Sequence, residues 1–179
     1  MSKDDQLLIK KILAGDKAAN QKLYEQHERH WFRLCLRYGK NRSEAQDILQ
    51  EGLIQVFRDL KQFDPERGAF RSWSNKAMVN AALRYLKKHQ WQQSFEDLSI
   101  VETEKGFSEN ILGKINAKEL VKVIQQLPSG YRIIFNMFEI EGYSHKEIAE
   151  TLNISVGTSK SQLSKAKKAL RQKLEILFD

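Results

Sequence analysis

The chain has 179 residues, 30 lysines and arginines against 23 acids, a net charge of +7 and two prolines. That length allows one ordinary domain or two small ones, and the positive balance favours an anionic partner. No segment is apolar over signal-peptide or membrane-spanning length, so the sequence predicts a cytoplasmic protein without membrane insertion.

Runs of alternating β-branched residues are absent, and Pro65 and Pro128 are the only prolines, which predicts an all-α fold. Apolar periodicity places helices near 4–14, 17–39, 43–62 and 71–89. Gly15-Asp16, Gly39 to Arg42 and Asp64-Pro65-Glu66-Arg67-Gly68 separate them. In the third helix Leu49, Leu53, Val56, Phe57 and Leu60 form the expected buried stripe. Asp47, Gln50, Glu51 and Ile54 share another face, which suits either a docking surface for a basic or amide-rich helix or a solvated side.

The fourth helix carries Lys76, Asn80, Arg84, Lys87 and Lys88 along one side, and no acid occurs between Arg71 and Ser94. Trp73, Ala77, Ala81 and Tyr85 run beside that stripe, with Phe70 at its start. Rings interleaved with cations suit single-stranded nucleic acid, because cations follow phosphates while rings stack on bases; taken one at a time, the same rings also suit a core. Cys35 sits amid Trp31, Leu34 and Tyr38 and reads as a buried, inert thiol. His27 and His30 flank Glu28 without metalloprotease spacing, and no glycine-rich phosphate loop appears. The chain is therefore expected to hold no metal or cofactor and to catalyse nothing itself.

Charge divides the chain into three parts: residues 1–92 carry +7, residues 93–110 carry −4, and residues 111–179 carry +4. The middle part, QSFEDLSIVETEKGFSEN, is acidic and aperiodic, and reads as a linker between two helical domains. Beyond it, Ser144 can cap a helix whose apolar face is Ile148, Ala149 and Leu152. Asn153 tolerates the left-handed conformation of a sharp corner, Ile154 supplies an apolar plug, and Ser155 can cap a second helix. There Leu163, Ala166, Leu170, Leu174 and Leu177 make one face, and Lys160, Ser164, Lys168 and Arg171 another. This is the pattern of a helix-turn-helix, whose second helix enters the DNA major groove; a solvated helix of an ordinary bundle is the alternative.

Three stretches together resemble the extracytoplasmic-function sigma factors. SEAQDILQEGLIQVFRDLKQF is similar to their polymerase-binding helix, and GAFRSWSNKAMVNAALRYLKK to the part that reads and melts the −10 element. LPSGYRIIFNMFEIEGYSHKEIAETLNISVGTSKSQLSKAKKALRQKL is similar to region four, which reads the −35 element. The resemblance implies region two over 1–92 and region four over 111–179. It implies core RNA polymerase as partner, through its β′ clamp helices and β flap, with promoter DNA and an anti-sigma factor.

The resemblance also implies residue roles. Asp47, Ile48, Leu49, Gln50 and Glu51 would bind polymerase. Phe70, Trp73, Lys76, Asn80, Arg84, Lys87 and Lys88 would bind the −10 region, with the loop from Asp64 to Ser72 holding a flipped base. Ser155, Thr158, Lys160, Ser161, Gln162, Lys165 and Lys168 would bind the −35 region. Two departures stand out. Gly157-Thr158-Ser159 replaces the family's Gly-Thr-Val, and Ser74-Asn75 follows Trp73 where apolar residues are common. A two-domain repressor shares the helix-turn-helix but leaves the acidic docking helix and the aromatic-basic helix without purpose.

Overall fold

A computed structural model of the protein describes residues 3–90 and 116–178. The expected linker at 93–110 lies outside the described residues. Among those described, every regular element is helical, and no helix is long and apolar enough to cross a membrane. Contacts divide the chain into two compact units, Met1–Leu86 and Lys87–Asp179.

The first unit holds α1 (Lys3–Leu13), α2 (Lys17–Tyr38), α3 (Arg42–Asp59) and α4 (Phe70–Gln90), whose last turn runs past the unit's edge. Asp16 starts α2 by accepting from the amides of Ala18 at 2.9 Å and Ala19 at 3.3 Å. Asn41 starts α3 by accepting from Glu44 N at 2.9 Å. Each cap satisfies amides that the first turn leaves without a helical partner. The α1 helix is held to α2 by buried Leu8 and Ile9 and by His27 Nε2, 2.8 Å from Asp5 Oδ1.

The buried line of α3 runs through Ala45, Ile48, Gly52 and Val56, not through Leu49, Leu53 and Phe57, which are half-buried. Gly52 explains the shift. A Cβ there would meet Met78 Sδ, so the glycine leaves room for that side chain where α4 packs against this line, and a larger residue would push it aside. Cys35 is fully buried, and desolvation pushes its thiol up to about 12, as an inert core residue requires.

The second unit holds α5 (Ala117–Gln125), α6 (Ser129–Phe135) continued by a π-helical turn at Asn136–Ile140, α7 (His145–Leu152) and α8 (Val156–Phe178). Val123, Ile124, Leu127, Tyr131, Ala166, Leu170 and Leu174 form its core. Leu163, also expected on that face, is buried, while the side chain of Leu177 lies outside the described residues. Asn116 and Glu119 form a reciprocal capping box at the start of α5. Buried Arg132 donates to the carbonyls of Gln125 and Leu127, both at 3.0 Å, and so places a cation at the other end of α5.

One buried polar contact orders the first unit. Trp31, fully buried, donates its indole N–H to Ser74 Oγ at 3.1 Å, and that hydroxyl donates to Arg71 O at 3.2 Å. Replacing Ser74→Ala strands the indole N–H in the core and should cost about 1–3 kcal/mol of stability. Urea unfolding followed by tryptophan fluorescence reads that loss as a lower midpoint.

Candidate nucleic-acid and polymerase interfaces

On α3, Asp47 and Gln50 are exposed, Leu49 and Glu51 are half-buried, and Ile54 is 61% exposed in their midst. Acids and an amide thus surround one exposed apolar side chain on this face. Tyr85 of α4 donates its hydroxyl to Asp47 Oδ2 at 3.1 Å, which fixes that carboxylate. Burial raises the pKa of Tyr85, and the bond to Asp47 raises it further, so the phenol remains the donor. Ile48, expected on this surface, is fully buried on the opposite side of the helix and cannot reach a partner.

The loop between α3 and α4 and the first turns of α4 enclose a cavity of about 420 Å³. Phe63, Asp64, Gly68, Ser72, Trp73 and Lys76 are among its lining residues. Asp64 accepts from Glu66 N at 3.0 Å and begins a 3-10 turn on Pro65, while Gly68 at φ 145° turns the chain into α4. Phe70 is 1% exposed and does not face this cavity's solvent; it is a core ring, contrary to the expectation that it touches DNA. It stacks on Trp73 at 5.8 Å and meets Phe63 edge-on at 5.4 Å, so it supports the walls from behind. Half-buried Trp73 reaches the cavity directly.

Beyond the cavity, Lys76, Asn80, Arg84, Lys87 and Lys88 are all exposed, and Ala77 and Ala81 beside them are buried. Arg84 donates to Gln55 Oε1 of α3. The stripe is thus a cationic ridge along one side of α4, tied to α3 at Arg84.

In the second unit the corner follows the sequence closely. Ser144 accepts from Glu147 N at 3.2 Å, and Glu147 accepts from Ser144 N at 2.8 Å. Asn153 ends α7 at φ 55° and ψ 49°, in the left-handed region. Ser155 Oγ accepts from Thr158 N at 2.9 Å and starts α8. Lys160, Ser161 and Ser164 are exposed, and Lys165 and Lys168 half-buried. Gln162 is only 7% exposed, with its Oε1 buried and without a hydrogen-bond partner. It lies on the packed side of α8, which removes it from the expected base-reading set.

Ser159, the departure from the family's valine, is fully buried, and its Oγ lies 2.9 Å from His145 Nδ1 at the start of α7. The His145 ring stacks on Phe138 of the π-helical turn at 4.3 Å. A 2.7 Å ion pair between Lys167 and Glu139 ties that turn to α8. The hydroxyl therefore joins both helices of the corner by a directional bond, which the sequence did not disclose. Burial first, then Lys160 and Lys167, holds the imidazole below its ordinary value of 6.5, against the opposing pull of Glu139.

Because the folded chain disfavours the charged ring, this contribution is complete above about pH 6.5 and is lost as pH falls through the lower folded value. His145→Gln removes the titration. The stability of the wild type relative to that variant, taken from urea midpoints, should fall between pH 7.5 and 5; a constant difference would rule out this contribution.

A family model described as "Sigma-70 region 2" matches residues 23–92, and one described as "Sigma-70, region 4" matches residues 117–170. The RNA polymerase sigma-H factor of Pseudomonas aeruginosa is 28% identical over 185 residues, covering 97% of this chain and 95% of the relative. The ECF RNA polymerase sigma-E factor of Escherichia coli is 27% identical over the same length, covering 97% and 96%.

Two solved structures share the fold. CnrH, in complex with the cytosolic domain of CnrY, is 20% identical with a TM-score of 0.51, over 97% of this chain and 98% of that one. The sigma factor RpoE from Bartonella quintana, in complex with the anti-sigma factor NepR, is 16% identical with a TM-score of 0.53, over 89% and 98%. With both regions matched in family order, and with relatives aligned along nearly their whole length, the chain belongs to the extracytoplasmic-function sigma factors, the non-enzymatic subunits that direct RNA polymerase to specific promoters.

Proposed function

We propose that residues 1–92 bind core polymerase and open the −10 element, that residues 111–179 read the −35 element, and that 93–110 link them. The presence of regions two and four on one chain, in family order, carries this reading. The Ile54-centred face of α3, with Asp47, Leu49, Gln50 and Glu51, docks on the β′ clamp helices. The cavity beside Trp73 takes a base extruded from the non-template strand. Its volume falls in the range of ordinary small-ligand sites, and one stacking contact worth about 1–3 kcal/mol offsets much of the few kcal/mol that extrusion costs. Lys76, Asn80, Arg84, Lys87 and Lys88 hold the adjoining backbone.

Lys160, Ser161, Lys165 and Lys168 face the −35 major groove, and Ser155 and Thr158 meet a phosphate at the start of α8, where free amides and the helix dipole favour an anion. The β flap receives the second unit. The protein acts in the cytoplasm on DNA-bound polymerase. An anti-sigma factor controls it by covering one or both units, a reading supported by the two solved relatives, each bound to a regulatory partner.

Co-purification with core polymerase and run-off transcription test the whole reading. Asp47→Arg with Glu51→Arg should abolish polymerase binding with the fold intact by circular dichroism. Lys160→Ala with Lys165→Ala should leave polymerase binding unchanged and lower −35 discrimination by about 1–3 kcal/mol per lost base contact. Tight operator binding without polymerase would overturn the sigma mechanism for this chain. Gln162→Leu, which removes a buried, unpartnered carbonyl, should leave that discrimination unchanged and hold or raise stability in urea.

A further inference from the structure

The docking and promoter surfaces leave one strongly charged face of the first unit unexplained. On α2, Arg29, Arg33 and Arg37 recur every four residues; Arg29 and Arg33 stand on the exposed side, while Arg37 is half-buried with its Nε out of solvent. Four residues advance a helix by about 6 Å, so the three guanidinium stems stand in one row. Arg29 and Arg33 are exposed, and among the described residues neither has an ion pair with a carboxylate. They are steadied from behind instead: Arg33 Nε donates to Arg29 O at 3.1 Å, and an Arg37 guanidinium N–H reaches Arg33 O at 3.4 Å. Like charges at this spacing repel, so the row costs stability in the isolated chain and is relieved by an anion.

His30 links the row to the start of α4, next to the cavity-lining residues. His30, one turn from Arg33, has Nε2 2.7 Å from Asn75 Oδ1 and Nδ1 3.0 Å from an Arg71 guanidinium nitrogen, both residues of α4. One neutral tautomer serves both bonds: Nε2–H donates to the amide oxygen, and Nδ1 accepts from the guanidinium. Arg71 is thereby held against α2, immediately before Ser72 and Trp73, which line the cavity. By helical phase Arg71 leaves the start of α4 on the flank opposite Lys76, Asn80 and Arg84.

We propose that Arg71, Arg33 and Arg29 grip the sugar-phosphate backbone of the opened strand on the other side of the extruded base. Guanidinium forks suit phosphate oxygens bidentately, and contacts of this kind position a strand without reading its sequence. The proposal rests on the cavity holding a base of the non-template strand. Its test is therefore paired with a control on the α4 stripe.

Holoenzyme assembled with the full chain is bound to promoter fragments whose −10 region is permanently unpaired, across a range of salt. Each phosphate contact on a single strand contributes about 0.7 to the slope of log affinity against log salt. Arg29→Gln with Arg33→Gln should lower the slope by about 1.4, a loss of about 25-fold at 0.1 M salt, equally on consensus and altered promoter sequences. Lys87→Gln with Lys88→Gln should also lower the slope. On a paired fragment that carries the −35 element and ends upstream of the −10 element, the arginine variant should bind like wild type.

A lowered slope for the lysine variant with none for the arginine variant overturns this inference alone. No change in either overturns the −10 reading as well. Weaker core-polymerase binding by the arginine variant, with an unchanged slope, assigns the row to a protein surface and also overturns the inference. An equal loss on the −35 fragment, which offers no opened strand, overturns the assignment to the opened strand.

Discussion

Phe70 is the contact on which the first unit depends. Its ring meets His27 at 5.2 Å and Trp31 at 6.3 Å on the core side, and Phe63 at 5.4 Å and Trp73 at 5.8 Å on the cavity side. Core and cavity wall are therefore one aromatic cluster, and each pair adds about 0.5–1.5 kcal/mol beyond its buried area. A wall built this way is already in place before a base arrives, so binding need not bear the cost of ordering it. The ring that the family resemblance gives to the DNA stands one layer behind the cavity wall, in the core that suits it when it is read alone.

A second theme is polar pairing at positions that are usually apolar in the family. Ser74 accepts from Trp31, Asn75 meets His30, and Ser159 meets His145. Each pair joins two helices: the first two pairs bridge more than forty residues, the third the fourteen across the corner. An apolar side chain tolerates small slides between helices, whereas a hydrogen bond fixes distance and direction and is costly to leave unmade. The departures thus exchange part of the helix packing for directional contacts, at the start of α4 and at the start of α8.

Local chemistry was legible in the sequence, and tertiary phase was not. Asn153 in the left-handed region and the caps at Ser144 and Ser155 follow from a few neighbouring residues. The order of the helices followed from apolar spacing. The buried line of α3 was misplaced because Gly52 contributes a close crossing with Met78 and no hydrophobic signal, so Leu49 and Leu53 outweighed Ile48 in the periodicity. Gln162 was assigned to the groove by resemblance, although its place on the turn puts it beside buried Leu163 and Ala166. The Ser159–His145 pair spans fourteen residues and a corner, which no local pattern encodes.

The exposed acid and amide face of α3 and the cationic side of α4 meet along one edge of the first unit. Tyr85 of α4 donates to Asp47 of α3, and Arg84 of α4 donates to Gln55 of α3. A hydrogen bond sets direction as well as distance, so these contacts fix the two faces against each other in the free chain. In the proposed roles, polymerase and the promoter strand would then meet surfaces already set relative to one another, and neither binding event would bear the cost of ordering them.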